Sequence, residues 1–510
     1  MQSISSTSSS SSKKRRGASK RAIAGRSLLG AALLASTALI ALPAGPAFAE
    51  DLLVDNNDQQ EITTPVDLDG GQVFVGRSPG SDATLTISDG GSVEALQGLI
   101  AVYGDTKGTV TVSGTGSLQT DLYLGVGLGG EGVLNVLDGG YVRTDVNSAL
   151  GGAAGSNGIV TVSGGTSKFI VEKSLVVGRA GEGTLNVSNG GSVRAGYDVT
   201  VGRDAGNRAS GTVTVSGKDS RLVAGNDIRV GYQGEAALTV SNGGAAEAGD
   251  TFVVADEAGS TGVINIGAAS GEKALAAGSL KGADGAAATI SFGAGDGTIL
   301  FNHTEENYGF DAIVSGNGLL KQEAGDTRLT GDWSAFTGTG EVSGGVLSVD
   351  TDFGGSMTVL AGGTVAGSKT IDGDAEFQDG GFFQVDISST DVLDVAGTVT
   401  IGSGADVVLV SNGALAFELG VTTTIMTAGE IDGEFGAVLS DDVFNGSLFL
   451  EGTLSYTETT IDLTLDRNDV AFSDFTRTPT QAAIADAVES LGQGNGVFDA
   501  FLVLTEKDDV

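Results

Sequence analysis

A short alternating pattern recurs eight times between residues 85 and 266. In each copy one Thr or Asn stands between two apolar residues, and successive copies lie 24 to 28 residues apart. Because side chains alternate between the two faces of a strand, the pattern predicts a strand with apolar residues inside and Thr or Asn outside. The triplets begin at Leu85, Val110, Leu134, Val160, Leu185, Val213, Leu238 and Ile264, and their middle residues are Thr86, Thr111, Asn135, Thr161, Asn186, Thr214, Thr239 and Asn265.

Turn signals follow these strands. Alternate copies continue with Asp-Gly-Gly or Asn-Gly-Gly, as in Asp89-Gly90-Gly91, and these residues tolerate positive φ. A further short strand ends on glycine, as in Leu175-Val176-Val177-Gly178. Two or three short strands per repeat of about 25 residues predict one coil of a β-helix, whereas a propeller blade needs roughly 40 residues. We therefore expect an all-β protein, a right-handed parallel β-helix with a short C-terminal helical linker.

The strict repeat divides the chain into segments. It covers residues 50–267, and strands and turns without a fixed period continue over residues 268–470. Residues 471–510 carry the helix signal: Thr478 is a candidate N-cap, Pro479 the first helical residue and Gln481 the capping-box partner. We expect one apolar face on this helix, and a stop at a following glycine. The face is Ile484, Val488 and Leu491, and the glycine is Gly492.

The N-terminal segment has the order of a secretory signal. Seven basic residues precede an uncharged apolar run over residues 27–42. Small residues, Ala47 and Ala49, then occupy the positions that a signal peptidase reads. We expect cleavage before Glu50, so that residues 1–49 are a signal peptide and the rest is exported.

The net charge and the cysteine content limit the kinds of partner and metal site that the chain can have. The whole chain carries a net charge of −37, and the 20 basic and 64 acidic residues after position 49 give −44. Such a surface repels nucleic acid, so we expect no nucleic-acid partner. The chain has no cysteine and one histidine, His303, which removes the usual zinc and iron ligand sets.

Three patterns that resemble chemical motifs have simpler explanations. Residues 76–80 match the G-x-S-x-G pattern of a nucleophilic serine, and residues 125–130 have the glycine spacing of a dinucleotide-binding loop. In a chain with 84 glycines such matches are common. In addition, a strand near Val133 follows the second segment, where a dinucleotide-binding loop would need a helix. Calcium could use Asp89 or Asp138, although Asp-Gly turn chemistry explains both. We expect no catalytic residue, no cofactor and no metal site.

One segment resembles a known family. Residues 329–338, LTGDWSAFTG, and 342–349, VSGGVLSV, resemble the autotransporter-associated β-helix repeat of pertactin-like autotransporter (type V secretion) passenger domains. The residues that carry the resemblance are Leu329, Gly331, Trp333, Phe336, Thr337, Gly338, Val342, Gly344, Gly345 and Leu347. We expect Trp333 and Phe336 to fill the core.

The resemblance implies a partner and a location. In such proteins a helical segment joins the passenger to an outer-membrane β-barrel translocator, but this sequence stops at Val510. We expect a truncated or fragmentary sequence, or a translocator on another chain. With a translocator the passenger would reach the cell surface, outer membrane or exterior; otherwise it would stay in the periplasm.

The expected function is a non-catalytic stalk or adhesin that contacts host cells, neighbouring cells or matrix. The alternatives are an enzymatic passenger, either polysaccharide-active or a hydrolase, and a non-functional remnant of a truncated autotransporter. A β-helix lyase would group Asp with Lys or Arg on one outward sheet, whereas the outward column found above is Thr and Asn.

Overall fold

The repeated triplets form the first of three parallel sheets. In the computed structural model, which describes residues 50–204, 209–412, 414–440 and 447–504, these strands stack in register. Leu185 pairs with Val213, and Asn186 pairs with Thr214. The described chain is an all-β parallel solenoid of about 14 turns with two short C-terminal helices, so the predicted fold class is confirmed. The predicted signal peptide, with Ala47 and Ala49, lies outside the described residues, and Glu50 is exposed.

Sheet I contains the triplets and continues beyond them. The apolar residues of all eight triplets are at most 1 % exposed. Seven of the eight middle residues are half-buried on the outward side, while Asn265 is buried and donates to Thr239 Oγ1 at 2.9 Å. The parallel strands are Gln59–Ile62, Asp82–Ile87, Lys107–Ser113, Glu131–Leu137, Asn157–Ser163, Glu182–Ser188, Ser210–Ser216, Glu235–Ser241, Thr261–Gly267, Asp296–Asn302, Leu319–Ala324, Thr339–Val342, Ser356–Val359, Thr370–Ile371, Ala375–Phe377, Leu393–Ile401 and Thr422–Asp432.

Sheet II provides the next two sides of each regular coil. Its strands come in pairs separated by a bend, so that one coil crosses this sheet twice before returning to sheet I. They are Leu52–Val54, Pro65–Asp67, Gln72–Val75, Ser92–Ile100, Ser117–Val126, Tyr141–Thr144, Asn147–Leu150, Lys168–Val171, Leu175–Val177, Ser192–Ala195, Val199–Val201, Arg221–Ala224, Ile228–Val230, Ala245–Ala248, Phe252–Val254, Ser279–Lys281, Thr289–Phe292, Ile313–Gly316 and Ala335–Phe336.

Sheet III occurs in the later coils, where the sequence loses its strict period. Its strands are Tyr308–Phe310, Asp326–Leu329, Gly345–Val349, Gly363–Gly367, Phe382–Asp386, Asp406–Val410 and Val438–Leu439. A short 3₁₀ segment, Ala283–Gly285, precedes this region. The core here is aromatic: Trp333 stacks on Phe353 with ring centroids 5.7 Å apart, and both are fully buried.

The turns after sheet I have the predicted chemistry. Asp89 and Gly90 both have positive φ, and Gly91 N donates to Ser88 O at 2.8 Å. This is the geometry of a type I′ turn, which favours Asp and Gly at its two central positions. Asp138 has the same positive φ. Turn geometry therefore accounts for both aspartates.

An inserted segment, residues 268–278, marks the end of the regular repeat. Asn302 Nδ2 donates to Ala269 O and Glu272 O, each at 2.9 Å. The Glu305 carboxylate accepts from Ala277 N at 2.7 and 2.9 Å. Side chains of the following coil thus hold the insertion through its backbone groups, which satisfies polar groups that a regular coil would pair within a sheet.

His303 belongs to a polar cluster inside the solenoid beside this insertion. Glu305 N donates to His303 Nδ1, so Nε2 carries the proton and donates to Thr327 Oγ1 at 2.8 Å. Thr327 then donates to Gln322 Oε1 at 2.8 Å. Burial lowers the pKa of His303 below its ordinary value, although the charge of Glu305 opposes that shift. His303 is therefore neutral and structural.

The last sheet strands reverse direction. Leu450–Tyr456 and Thr460–Arg467 pair with each other antiparallel, and the second of them pairs antiparallel with Thr422–Asp432. The 3₁₀ segment Phe472–Phe475 and the helices α1, Pro479–Glu489, and α2, Gly496–Leu502, follow. Arg467 fixes α1 by donating to Glu489 Oε1 at 2.8 Å, while its guanidinium lies over the Phe472 ring at 4.7 Å.

The start of α1 is as predicted at Thr478 and Pro479, but its buried face is predicted only in part. Thr478 accepts from Gln481 N at 3.2 Å, and Pro479 is the first residue. Val488 of the predicted face is buried, together with Ala485, but the prediction is wrong for Ile484 and Leu491, which are 58 % and 51 % exposed. Within the described residues, no helix has the length and apolar composition needed to cross a membrane.

The alternation along one strand makes a stability prediction. Leu185→Ala, which removes a fully buried side chain, is expected to lower the free energy of unfolding by about 2–5 kcal/mol. Asn186→Ala, at the next position on the outward side, is expected to change it by about 0.5 kcal/mol or less. Urea unfolding followed by circular dichroism measures both. Equal losses would contradict the assignment of faces.

The neutral His303 makes a pH prediction. An unfolded histidine takes up a proton below a pH of about 6.5, whereas the folded one resists protonation, so stability falls as the pH drops below that value. Between pH 7.5 and 5.5 the wild type should lose more stability than His303→Gln, which has no group that titrates in this range. The readout is the urea midpoint of each protein at both pH values. Parallel losses in the two proteins would show that His303 does not contribute.

Candidate functional site

Sheet II differs in charge from the rest of the protein. Residues 141–232 contain ten basic and seven acidic residues, although the chain as a whole has 27 basic and 64 acidic ones. Those on the strands of sheet II or in the bends and turns that adjoin them are Arg143, Lys168, Lys173, Arg179, Arg194, Arg203, Arg221 and Arg229. An anionic ligand therefore meets less repulsion in this region than over the chain as a whole.

A groove of about 560 Å³ crosses five successive strands of this region. At a strand spacing of about 4.8 Å, the strands of Tyr123 and Arg229 lie roughly 19 Å apart. The lining residues are Tyr123, Asn147, Ser148, Ala149, Ser174, Val176, Arg179, Asp198, Thr200, Arg203, Arg229 and Tyr232. We call this feature the sheet II groove.

The floor of the groove is a register column of mostly small residues. Gly125, Ala149, Val176 and Thr200 pair in that order, and Arg229 follows. Ala149 and Val176 are 4 % and 8 % exposed, so neighbouring side chains cover the apolar floor. A Cβ on Gly125 would lie 2.8 Å from Tyr123 Cε1 and would also collide with Leu128. The missing side chain thus makes room for the Tyr123 ring.

One wall comes from the corners that end these strands. Gly178, Gly202 and Gly231 each have positive φ, a conformation that glycine adopts without strain. The residue after each corner lines the groove, and these residues are Arg179, Arg203 and Tyr232. The repeated corner therefore places two arginines and a tyrosine in one row along the groove. The opposite side carries Asn147, Ser174 and Asp198.

The three arginines differ in their partners. Arg229 forms ion pairs with Asp227 and Asp256, which raise its pKa despite the opposing effect of burial. Arg203 has only a long contact with Asp204, at 3.9 Å. Arg179 is exposed and forms no ion pair with any residue that the structure describes. The available positive charge is therefore on Arg179 and Arg203.

Tyr123 closes one end of the groove. Its hydroxyl oxygen is buried and lies close to the Arg179 side chain. Burial raises the pKa of Tyr123, while the positive charges of Arg179 and Arg203 act in the opposite direction. The phenol is thus protonated near neutral pH.

The residues of the family resemblance lie elsewhere, in one later coil. Their apolar members are all fully buried: Leu329, Trp333, Phe336, Val342 and Leu347. Thr337 is exposed, Gly331 and Gly338 approach neighbouring backbone, and Gly344 and Gly345 lie at the turn before sheet III. The expectation that Trp333 and Phe336 fill the core is confirmed.

The motif-like segments also have structural roles. The nearly buried Asp55 accepts from Arg77 N and Ser78 N, so Ser78 belongs to a hydrogen-bonded turn. Residues 125–130 lead into the strand Glu131–Leu137, as expected from the sequence. Among the described residues, no three His, Cys, Asp or Glu side chains are grouped so that they could hold a metal ion.

Comparison with known proteins gives partial matches. No protein-family model matches the chain. The chain is 29 % identical over 297 residues to the adhesin BmaC autotransporter of Brucella suis biovar 1, which is 54 % of this chain and 8 % of that protein. Two Escherichia coli K12 proteins also match. The uncharacterized protein YuaQ is 27 % identical over a match that covers 50 % of this chain and 20 % of YuaQ. The uncharacterized lipoprotein YdeK is 31 % identical over a match that covers 39 % of this chain and 15 % of YdeK. The chain thus spans a fifth or less of these relatives.

The position of Tyr123 can be tested by chemical modification. Nitration attacks the phenolate, so Tyr123, with its buried hydroxyl and raised pKa, should react several-fold more slowly than Tyr103, which is 52 % exposed. Gly125→Ala should displace the Tyr123 ring and raise its nitration rate, while Tyr103 keeps the same rate. Mass spectrometry of tryptic peptides gives both rates. An unchanged Tyr123 rate in the variant would refute the close packing.

Proposed function

We propose that this chain is a passenger region of an autotransporter, exported to the cell surface, and that it works as a non-catalytic adhesive surface. The observation that carries the proposal is the 29 % identity over 297 residues to the adhesin BmaC autotransporter. The all-β parallel solenoid agrees with a passenger. The partners under this proposal are an outer-membrane translocator and the surface of a host or neighbouring cell.

The exposed faces of the solenoid support adhesion over catalysis. Equivalent side chains of successive coils repeat at about 4.8 Å, so one face offers many similar contacts along its length. Many weak contacts give strong attachment when they act together. The sheet II groove runs along four coil steps, and Asp198 is the one carboxylate among its lining residues. Glycoside hydrolysis generally uses a pair of carboxylates across the scissile bond.

Residues 1–49 have a defined place in this proposal. They serve as the signal peptide, with Ala47 and Ala49 read by the peptidase, and the exported chain starts at Glu50. The segment from residue 471 onward, with α1 and α2, leads from the solenoid toward the translocator. Both assignments follow the sequence pattern and the resemblance given above.

The adhesive function is tested by surface display. The full chain is fused to a borrowed translocator in a non-adhesive bacterium, and attachment to epithelial monolayers and cell-to-cell aggregation are counted. We expect attachment or aggregation several-fold above that of cells displaying an unrelated β-solenoid at the same surface density, as measured with an epitope tag. Equal attachment and equal aggregation in the two strains would overturn the proposal.

A further inference from the structure

We propose that the sheet II groove binds an anionic oligosaccharide, a chain of uronic acid residues, with its carboxylates on Arg179 and Arg203. The inference rests on the proposed function, because it names the chemical class that the adhesive surface recognises. The two arginines leave equivalent corners on successive coils, so their backbones lie about 4.8 Å apart. An arginine can hold a carboxylate through two parallel N–H···O bonds.

The charge distribution favours this location. The chain carries −37 overall, so a polyanion is repelled by most of the surface. At physiological salt, charges further than about 8 Å away are largely screened, and the local groups decide binding. In the groove these groups are the exposed Arg179 and Arg203, while Arg229 is already neutralised by Asp227 and Asp256. Among the residues that line the groove, three arginines face one carboxylate, Asp198, so the lining itself is positively charged, while Asp204, Asp227 and Asp256 offset part of that charge from outside it.

The remaining groups suit a sugar. Asn147, Ser174 and Thr200 come from successive coils and present an amide and two hydroxyl groups, which pair with sugar hydroxyls as donors and acceptors. The partly exposed rings of Tyr123 and Tyr232 stand at the two ends of the groove and can pack against the C–H faces of sugar rings. A polymer with repeating units matches groups that repeat from coil to coil.

Other occupants fit less well. An extended peptide binds a sheet by adding to a free strand edge, whereas the strands under the groove are paired on both sides. A membrane would need exposed apolar side chains to insert, but the apolar floor residues Ala149 and Val176 are buried. The observations therefore favour the oligosaccharide over a peptide or a membrane.

The test is calorimetric titration of the purified protein with a galacturonic acid tetrasaccharide at low and physiological salt. We expect saturable binding that the neutral galactose tetrasaccharide does not show. The double variant Arg179→Gln/Arg203→Gln should bind about tenfold or more weakly, because each lost charged hydrogen bond is a large part of such an interaction. Arg194→Gln is the matched control: it removes an exposed positive charge from the same sheet outside the groove and should stay within about twofold of wild type.

Three results would overturn the inference: no binding of the uronate, equal losses in the double variant and in Arg194→Gln, or saturable binding of an oligonucleotide or of anionic lipid vesicles in place of the uronate. Circular dichroism and the urea midpoint verify that each variant folds. The display assay separates the two proposals. If attachment persists in the double variant, the proposed uronate site is refuted and the adhesive function is not. If the protein binds uronate but displaying cells do not attach, the adhesive function is refuted and the uronate site is not.

Discussion

The stacking of one coil on the next is the interaction on which the whole structure depends. A single coil contributes only a few inward apolar residues, and they are covered only when equivalent residues of both neighbours lie above and below them. Leu185 is fully buried because its strand pairs with those of Val160 and Val213 in register. A shift by one residue would turn the apolar side chains outward. This requirement explains why the repeat length varies in the turns while the triplets keep their alternation.

The sequence predicts sheet I well because one face of each strand is buried and the other is not. The same logic places the Asp89 turn and the start of α1, where side-chain chemistry is local. It fails for part of the α1 face, since the helix packs through Ala485 and Val488 while the larger Ile484 and Leu491 stay exposed. Hydrophobicity alone does not reveal which stripe of a short helix fits against its neighbour.

The sheet II groove could not be predicted from the same pattern. Its arginines are far apart in sequence and meet only because the corners at Gly178 and Gly202 repeat on adjacent coils. A signal was present, since Gly-Arg follows a short apolar strand in both copies, but it becomes visible only after the coils are aligned by their corners. The groove lining also differs in charge from the rest of the chain, which is strongly acidic. Residues of the family resemblance, by comparison, are largely core residues and mark the fold instead of a binding surface.

The direction of the backbone hydrogen bonds has a mechanical consequence. In the regular coils these bonds run between strands of successive coils, and therefore along the solenoid axis. Tension applied along that axis loads the few bonds of one coil at a time, so coils should peel away singly instead of shearing as a block. Each coil of about 25 residues then releases up to roughly 85 Å of extended chain. In the adhesive role proposed above, a chain built in this way would lengthen in steps under load, so that an attached cell stays bound while it is pulled.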